Sequence, residues 1–429
     1  MLTLAMVAII TVAIWMQMNV FKNLPDVSEV KDMTFSQATI ITDKHGTELY
    51  KFFSENREYI EFEKINENMV NAIISIEDQR YWEHEGLDPW GIFRAAVTRK
   101  GGASTIQQQL MTNVFKLKAG MGASIQKRVV YKLRQMVLAK RLNATLQKQI
   151  KQEKPNLSSE EIKHEMKKKV LELYLNYVEL GNNSFGIEAA SKSYLGKSSS
   201  ELSALEAAIL ASLFRGPTQY SPLTEKGRNN LIGYFVITDS SGKEYPYESI
   251  LQQEIITKFK SAIESASFAN KTASNSSTLF LVGLGSFNLV VEGKEYYIKY
   301  NNGRKDVVLS RMFEDGHLTE EQLKQAFMDA LTVKFQASAF PIKAPHFVFW
   351  IKEELEKIYG ADFILAKGLI VTTSLDYEIQ KAAESVFRDN ERTLYSNGAN
   401  NSSMIYLDTD NGDILAYVGS LNYFNEEIQ

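Results

Sequence analysis

The sequence predicts a mainly α protein that opens on an apolar helix, carries an α+β insertion and closes on a partial α/β unit. Three observations predict it. Helical periodicity dominates from about residue 66 to 215. Beyond Pro222 the composition shifts to short strand-like runs. The first 21 residues carry no charge. A chain of 429 residues without cysteine has room for several domains and excludes disulfide scaffolds, thiol nucleophiles and Cys-ligated zinc. The net charge of −4 hides a strong asymmetry. From Arg99 to Lys169 there are 17 Lys/Arg against 4 Glu and no Asp. Such a block suits a polyanion, a phosphorylated substrate or an anionic membrane surface, or forms solvated helix faces.

Residues 1–21 read as a transmembrane anchor, since about 20 apolar residues span a bilayer core as a helix. A cleaved signal peptide is the alternative, but the stretch lacks a basic start and a small-residue cleavage site. Ala38 to Thr42 and Glu48 to Phe52 read as two strands about an Asp43–Gly46 turn. Residues 66–82 predict a helix capped by Asn66, with Met69, Val70, Ile73, Ile74 and Glu77 on one face. Further helices are predicted over 126–149, 159–179 and 201–214. Strands are predicted at 233–238, 279–282, 286–291 and 296–300, interrupted by a helix near 247–266. Thr319 caps another helix. Residues 369–373 form a strand, Asp376 opens a helix, and Met404 to Val418 a hairpin turned at Asp410-Asn411-Gly412.

Four constellations carry chemistry. Glu77-Asp78 closes an amphipathic helix and leads to His84 and Gly86. A carboxylate on the rim of an apolar face can act as a general acid or base. Gly101-Gly102-Ala103-Ser104-Thr105 precedes Gln107, Gln108 and Gln109, where hydroxyls cap a helix or meet phosphate and amides meet sugar hydroxyls. Lys132, Arg134 and Gln135 lie on the basic helix. Glu172-Leu173-Tyr174-Leu175-Asn176 ends the next one. Each alone is also an ordinary helix end or solvated face.

In this order they resemble the family 51 glycosyltransferase domain, the peptidoglycan polymerase module of class A penicillin-binding proteins. The family pattern Glu-Asp-x-x-Phe-x-x-His-x-Gly matches at Glu77, Asp78, His84 and Gly86, with Tyr81 at the aromatic position. Gly-x-Ser-Thr-x-x-Gln-Gln matches at Gly102, Ser104, Thr105, Gln108 and Gln109, continued by Leu110 and Asn113. Glu-Leu-Tyr-Leu-Asn matches at Glu172 to Asn176. The resemblance implies a lysozyme-like glycosyltransferase domain at 38–225, an α+β insertion at 226–305, a helical linker at 306–365 and the truncated start of a penicillin-binding transpeptidase domain at 368–429. It also implies single-pass anchoring in a bacterial membrane, with the catalytic domain outside.

The implied reaction is polymerisation of lipid II with inversion and release of undecaprenyl pyrophosphate. Glu77 is then the general base, and Asp78, His84, Gly102, Ser104, Thr105, Gln108, Gln109, Asn113, Lys132, Arg134, Glu172, Asn176 and Arg215 line the substrate cleft. The stretch Val114 to Gly120 is expected on the lipid surface. Implied partners are lipid II, the growing glycan strand, membrane lipids and other cell-wall enzymes, with no nucleic acid. A divalent cation, Mg or Mn, is the one cofactor the resemblance leaves room for.

One departure stands out. The family's third motif, Arg-Lys-x-x-Glu, reads Tyr131, Lys132, Leu133, Arg134, Gln135 here, so the second carboxylate is an amide. Either Asp78 or Glu172 compensates or the amide suffices; otherwise the module is catalytically weakened and binds lipid II or scaffolds other enzymes. No transpeptidase core is expected either. Ser-x-x-Lys occurs only at Ser28, Ser124 and Ser240, and no Lys-Thr-Gly follows. The five histidines (45, 84, 164, 317, 346) lack metal-ligand spacing, and Gly196-Lys197-Ser198 lacks the leading glycine of a P-loop. A lysozyme-like hydrolase remains the nearer rival.

Overall fold

The computed structural model describes all residues except 1, 32–37, 53–54, 99–103, 118–119, 121, 248–250, 266–285, 337–341, 361–362, 365–367, 422 and 424–429. The chain divides into two compact units. One takes Met1–Met33 and Glu58–Ala337, the other Thr34–Arg57 and Ser338–Gln429.

In the first unit the helix Ala204–Leu213 is the hub. Its Leu205 and its run from Ala207 to Leu213 are buried, and Ser203 and Glu206 close a capping box at its start. The helices Glu67–Glu77, Arg304–Glu314 and Glu320–Ala330 pack most extensively on it. The first is capped by Asn66, whose side chain accepts from the Asn68 N–H, and it buries Met69, Val70, Ala72, Ile73 and Ile74. A second group, Ile106–Val114, Ile125–Glu153 and Ser159–Tyr177, packs pairwise. Ser158 and Glu161 box the last of these. One hydrophobic core joins both groups.

The insertion is a four-stranded antiparallel sheet in the order Glu244–Tyr245, Gly233–Asp239, Lys294–Asn302, Ser286–Val291. It has a core of its own, in which Ile237 and Ile298 meet Leu251 and Ile255, the latter from the helix Gln252–Ser265. The chain enters at Gly233 and leaves at Gly303, where two backbones nearly touch. A Cβ on Gly303 would lie 2.3 Å from the Leu231 carbonyl oxygen, and Gly233 has φ of +89°. Only glycine fits such a neck. The strand expected at 279–282 lies outside the described residues.

In the second unit Thr39–Thr42 pairs antiparallel with Glu48–Phe52 and parallel with Ile370–Thr372. The sequence predicts the first two strands within the catalytic domain; their ladder and their buried Ile41, Leu49 and Phe52 instead join Phe347, Val348 and Leu375. A lone two-stranded hairpin is marginal, and the third strand completes it. The helix Tyr377–Ser396 packs on the C-terminal hairpin through Ala383, Ala416 and Val418.

The expected transmembrane helix is not found as such: the α-helix runs Leu2–Met16, 15 residues. A π-helical turn, Gln17–Phe21, follows where Gln17 and Asn19 introduce polar side chains. Among the described residues no helix is long and apolar enough to cross a membrane.

Candidate active site

Glu77 is the last residue of its helix, one turn beyond the buried Ile73, so its carboxylate emerges at the edge of the core half-buried. Its Oε2 accepts from Gln109 Nε2 at 2.9 Å. Gln109 is held in turn by Tyr174, whose hydroxyl donates to Oε1 at 2.8 Å. Burial pushes the Tyr174 phenol well above its ordinary pKa, with the charges of Glu77 and Asp78 adding. Tyr174 therefore remains a donor, and Gln109 must turn its NH2 toward Glu77.

Asp78 faces the other way and is fully engaged. Its Oδ1 lies 2.8 Å from His84 Nε2, and its Oδ2 accepts from the Ile106 N–H at 3.0 Å. The Gly86 N–H donates to His84 Nδ1 at 3.2 Å, so the proton of the neutral ring sits on Nε2. Thr105 Oγ1 and Gln108 Nε2 both donate to the Gly86 carbonyl at 2.9 Å. Gly86 has φ of +82° and its missing Cβ would lie 3.3 Å from Asn143 Nδ2. Asp78, His84, Thr105 and Gln108 thus form a buried brace between the loop after Glu77 and the helix Ile106–Val114. Asn113 lies one turn beyond Gln109 on that helix.

Lys132 donates to Ser104 Oγ at 2.7 Å, and burial lowers its pKa. Gln135 donates from Nε2 to the Leu117 carbonyl at 3.0 Å. Leu117 is buried in the core, in contrast to the lipid-facing placement predicted for 114–120; residues 118–119 lie outside the described set. Arg134 points elsewhere. It donates to the carbonyls of Asn19 and Lys22, both at 3.1 Å, at the end of the N-terminal helix. Gly102 lies outside the described residues.

Glu172 is a clamp. Its Oε2 accepts from the Phe62 N–H at 2.9 Å, and its Oε1 from Tyr59 and Lys169. Asn176 pairs both ways with the Ile60 backbone at 2.8 Å. Neither Asp78 nor Glu172 is therefore placed to stand in for the carboxylate missing at Gln135.

One residue escaped the sequence reading. Arg304 opens the helix Arg304–Glu314, just past the insertion neck. Its Nε is buried with no hydrogen-bond partner among the described residues. Burial and the charge of Arg215 depress its pKa, while Glu77 opposes them. Glu77, Arg215 and Arg304 thus share one electrostatic neighbourhood. The only local signal was the Arg-Lys pair after Gly303, separated from Glu77 by the whole insertion.

Among the described residues no group of three or more His, Asp or Glu converges to hold a metal ion, and position 135 is an amide.

Residues 45–233 match the family model described as Transglycosylase. Penicillin-binding protein 1A of Aquifex aeolicus (strain VF5) is 28% identical over 372 residues, covering 85% of this chain and 37% of the relative. Penicillin-binding protein 1A of Escherichia coli (strain K12) is 25% identical over 373 residues, covering 86% and 32%. Penicillin-binding protein 1F of Bacillus subtilis (strain 168) is 29% identical over 209 residues, covering 47% and 26%. The chain thus spans about a third of the length of the first two relatives. The crystal structure of penicillin-binding protein 1A from Haemophilus influenzae aligns with a TM-score of 0.36 and 16% identity, over 83% of this chain and 30% of that one. Residues 45–233 thus match the Transglycosylase family, and over about 85% of its length the chain is similar to penicillin-binding proteins 1A.

Proposed function

We propose that the chain polymerises lipid II into peptidoglycan strands, with Glu77 as general base. The single observation that carries this reading is the setting of Glu77. It is a half-buried carboxylate aimed by the Tyr174–Gln109 relay and within the electrostatic reach of Arg304. The sugar 4-hydroxyl gives its proton to Glu77 as its oxygen attacks the anomeric carbon of the growing chain. The bond to the lipid pyrophosphate breaks with inversion. Lys132, Arg215 and Arg304 stabilise the charge that develops on the leaving group. Membrane association belongs to the same proposal. Met6, Val7, Ile9, Val12, Ile14 and Met18 are exposed on the N-terminal helix, a surface suited to lipid at the outer face of the membrane.

A second reading, a lipid II-binding module with weak turnover, is favoured by one observation: Gln135 donates to a backbone carbonyl instead of presenting a negative charge. Polymerisation of labelled lipid II in detergent tests both. Glycan strands from the wild type, reduced on the order of 10²–10⁴ in Glu77→Gln, support the polymerase. Binding without strands supports the second reading.

A further inference from the structure

A lysine ammonium is among the costliest groups to bury, and buried charges are ordinarily paired. Lys167, on the helix Ser159–Tyr177, is 1% exposed, yet no carboxylate touches it among the described residues. Its Nζ donates to the backbone carbonyls of Tyr81 and His84 and lies 4.5 Å from the centroid of the Tyr81 ring. Tyr81 closes the contact from the other side, its hydroxyl donating to the Lys167 carbonyl at 2.7 Å. Tyr81 and His84 sit in the loop that begins directly after Glu77, and His84 is the residue that holds Asp78. The two-way contact therefore staples that loop to the helix.

We propose that Lys167 is the positioning residue of the catalytic loop, acting through the Tyr81 and His84 carbonyls to hold Glu77 in register with Gln109. This inference rests on Glu77 being the base of the reaction proposed above. The ammonium form suits the site best. Two carbonyl oxygens and the electron-rich face of a ring surround Nζ, so the lone pair of a neutral amine would meet electron density. The charged groups around it are few. Asp78 and Glu85 favour the ammonium, Lys163 on the same helix opposes it, and Glu85 is itself paired with Lys163 at 3.2 Å. His84 faces Asp78, and His164 stacks on Trp82. Burial dominates and brings the lysine pKa down to about 8. The staple is thus complete below about pH 8 and loosens as pH rises through that value.

The test uses the whole chain and labelled lipid II, comparing Lys167→Met, Lys167→Arg and the wild type. A misplacement of about 1 Å costs on the order of 10² in rate, so Lys167→Met should lose about that factor in kcat while KM stays within about threefold. The wild type should show an alkaline fall in kcat near pH 8 that Lys167→Arg, with its permanent charge, lacks. Hydrogen exchange of the wild type supplies a readout independent of activity and of whether either variant folds. Protection of amides 79–86, corrected for intrinsic base catalysis, should drop between about pH 7 and 9 while the helix Ala204–Leu213 stays protected. Wild-type kcat and pH profile in Lys167→Met, or constant protection of 79–86 across that range, overturns the inference. A wild type that makes no strands defeats the polymerase reading instead, and the exchange measurement still decides the staple.

Discussion

The Gln135→Glu substitution reports on two properties of one position. The wild-type amide donates to the Leu117 carbonyl at 3.0 Å. A carboxylate cannot donate, so the exchange sets two acceptor oxygens against each other. Losing a partly buried donor in this way costs about 1–3 kcal/mol. Lys132, one turn earlier on the same helix, returns about 0.2–0.5 kcal/mol as an i, i+3 pair. At roughly 2–4 °C per kcal/mol for a unit of this size, the net loss should lower the Tm of the helical unit by about 2–10 °C. Activity should move in the opposite direction. A carboxylate facing positive charge that develops in the transition state is worth on the order of 10²–10³ in kcat, judged from single electrostatic groups of similar placement. The assay pairs a thermal melt with timed polymerisation of labelled lipid II, resolving strand lengths on a gel. A variant that melts with the wild type refutes the Leu117 tie. A variant that destabilises but polymerises no faster refutes the idea that the missing carboxylate limits turnover.

Four further expectations can be measured directly. Arg304→Gln should lower kcat/KM by about 10–100-fold with little change in Tm, because its buried Nε has no partner to lose among the described residues; an unchanged kcat/KM would place Arg304 outside the site. Arg134→Ala should leave soluble-substrate kinetics within about twofold and expose the segment near Lys22 to proteolysis, since Arg134 holds carbonyls at the end of the N-terminal helix. Glu172→Gln should cost about 1–3 kcal/mol, seen as a lower Tm, through weakened bonds to Lys169 and the Phe62 N–H. In the second unit, Lys44 first, then the Ile379 N–H and His45, hold Asp376 down at about pKa 2. That stability is present above the ordinary carboxylate pKa of 3.8 and is lost as pH falls toward about 2, so Asp376→Asn should flatten the acid limb of a Tm-against-pH curve.

Much of this protein was legible locally. Asn66, Thr105 and Thr319 announce their helices because a cap needs only its own next turn. The apolar face through Ile73 brings Glu77 to a rim, and the short Asp410–Gly412 turn pins the C-terminal hairpin. What the sequence alone determined was thus the helical class, the insertion and the resemblance, together with the candidate carboxylate at Glu77. Tertiary structure decided which charges are free. The resemblance implies Asp78, His84, Glu172 and Asn176 as cleft residues, and only the segments returning to meet them show the bonds they make within the fold. Arg304 reaches the neighbourhood of Glu77 across an insertion that no local pattern bridges. Arg134 shares a helix with Lys132 yet turns to another element. The strand Thr39–Thr42 takes its second partner from Ile370–Thr372, more than three hundred residues away. Periodicity and caps are properties of a few consecutive residues; the partner of a buried polar group is a property of where the chain comes back, and its desolvation decides which pairing survives.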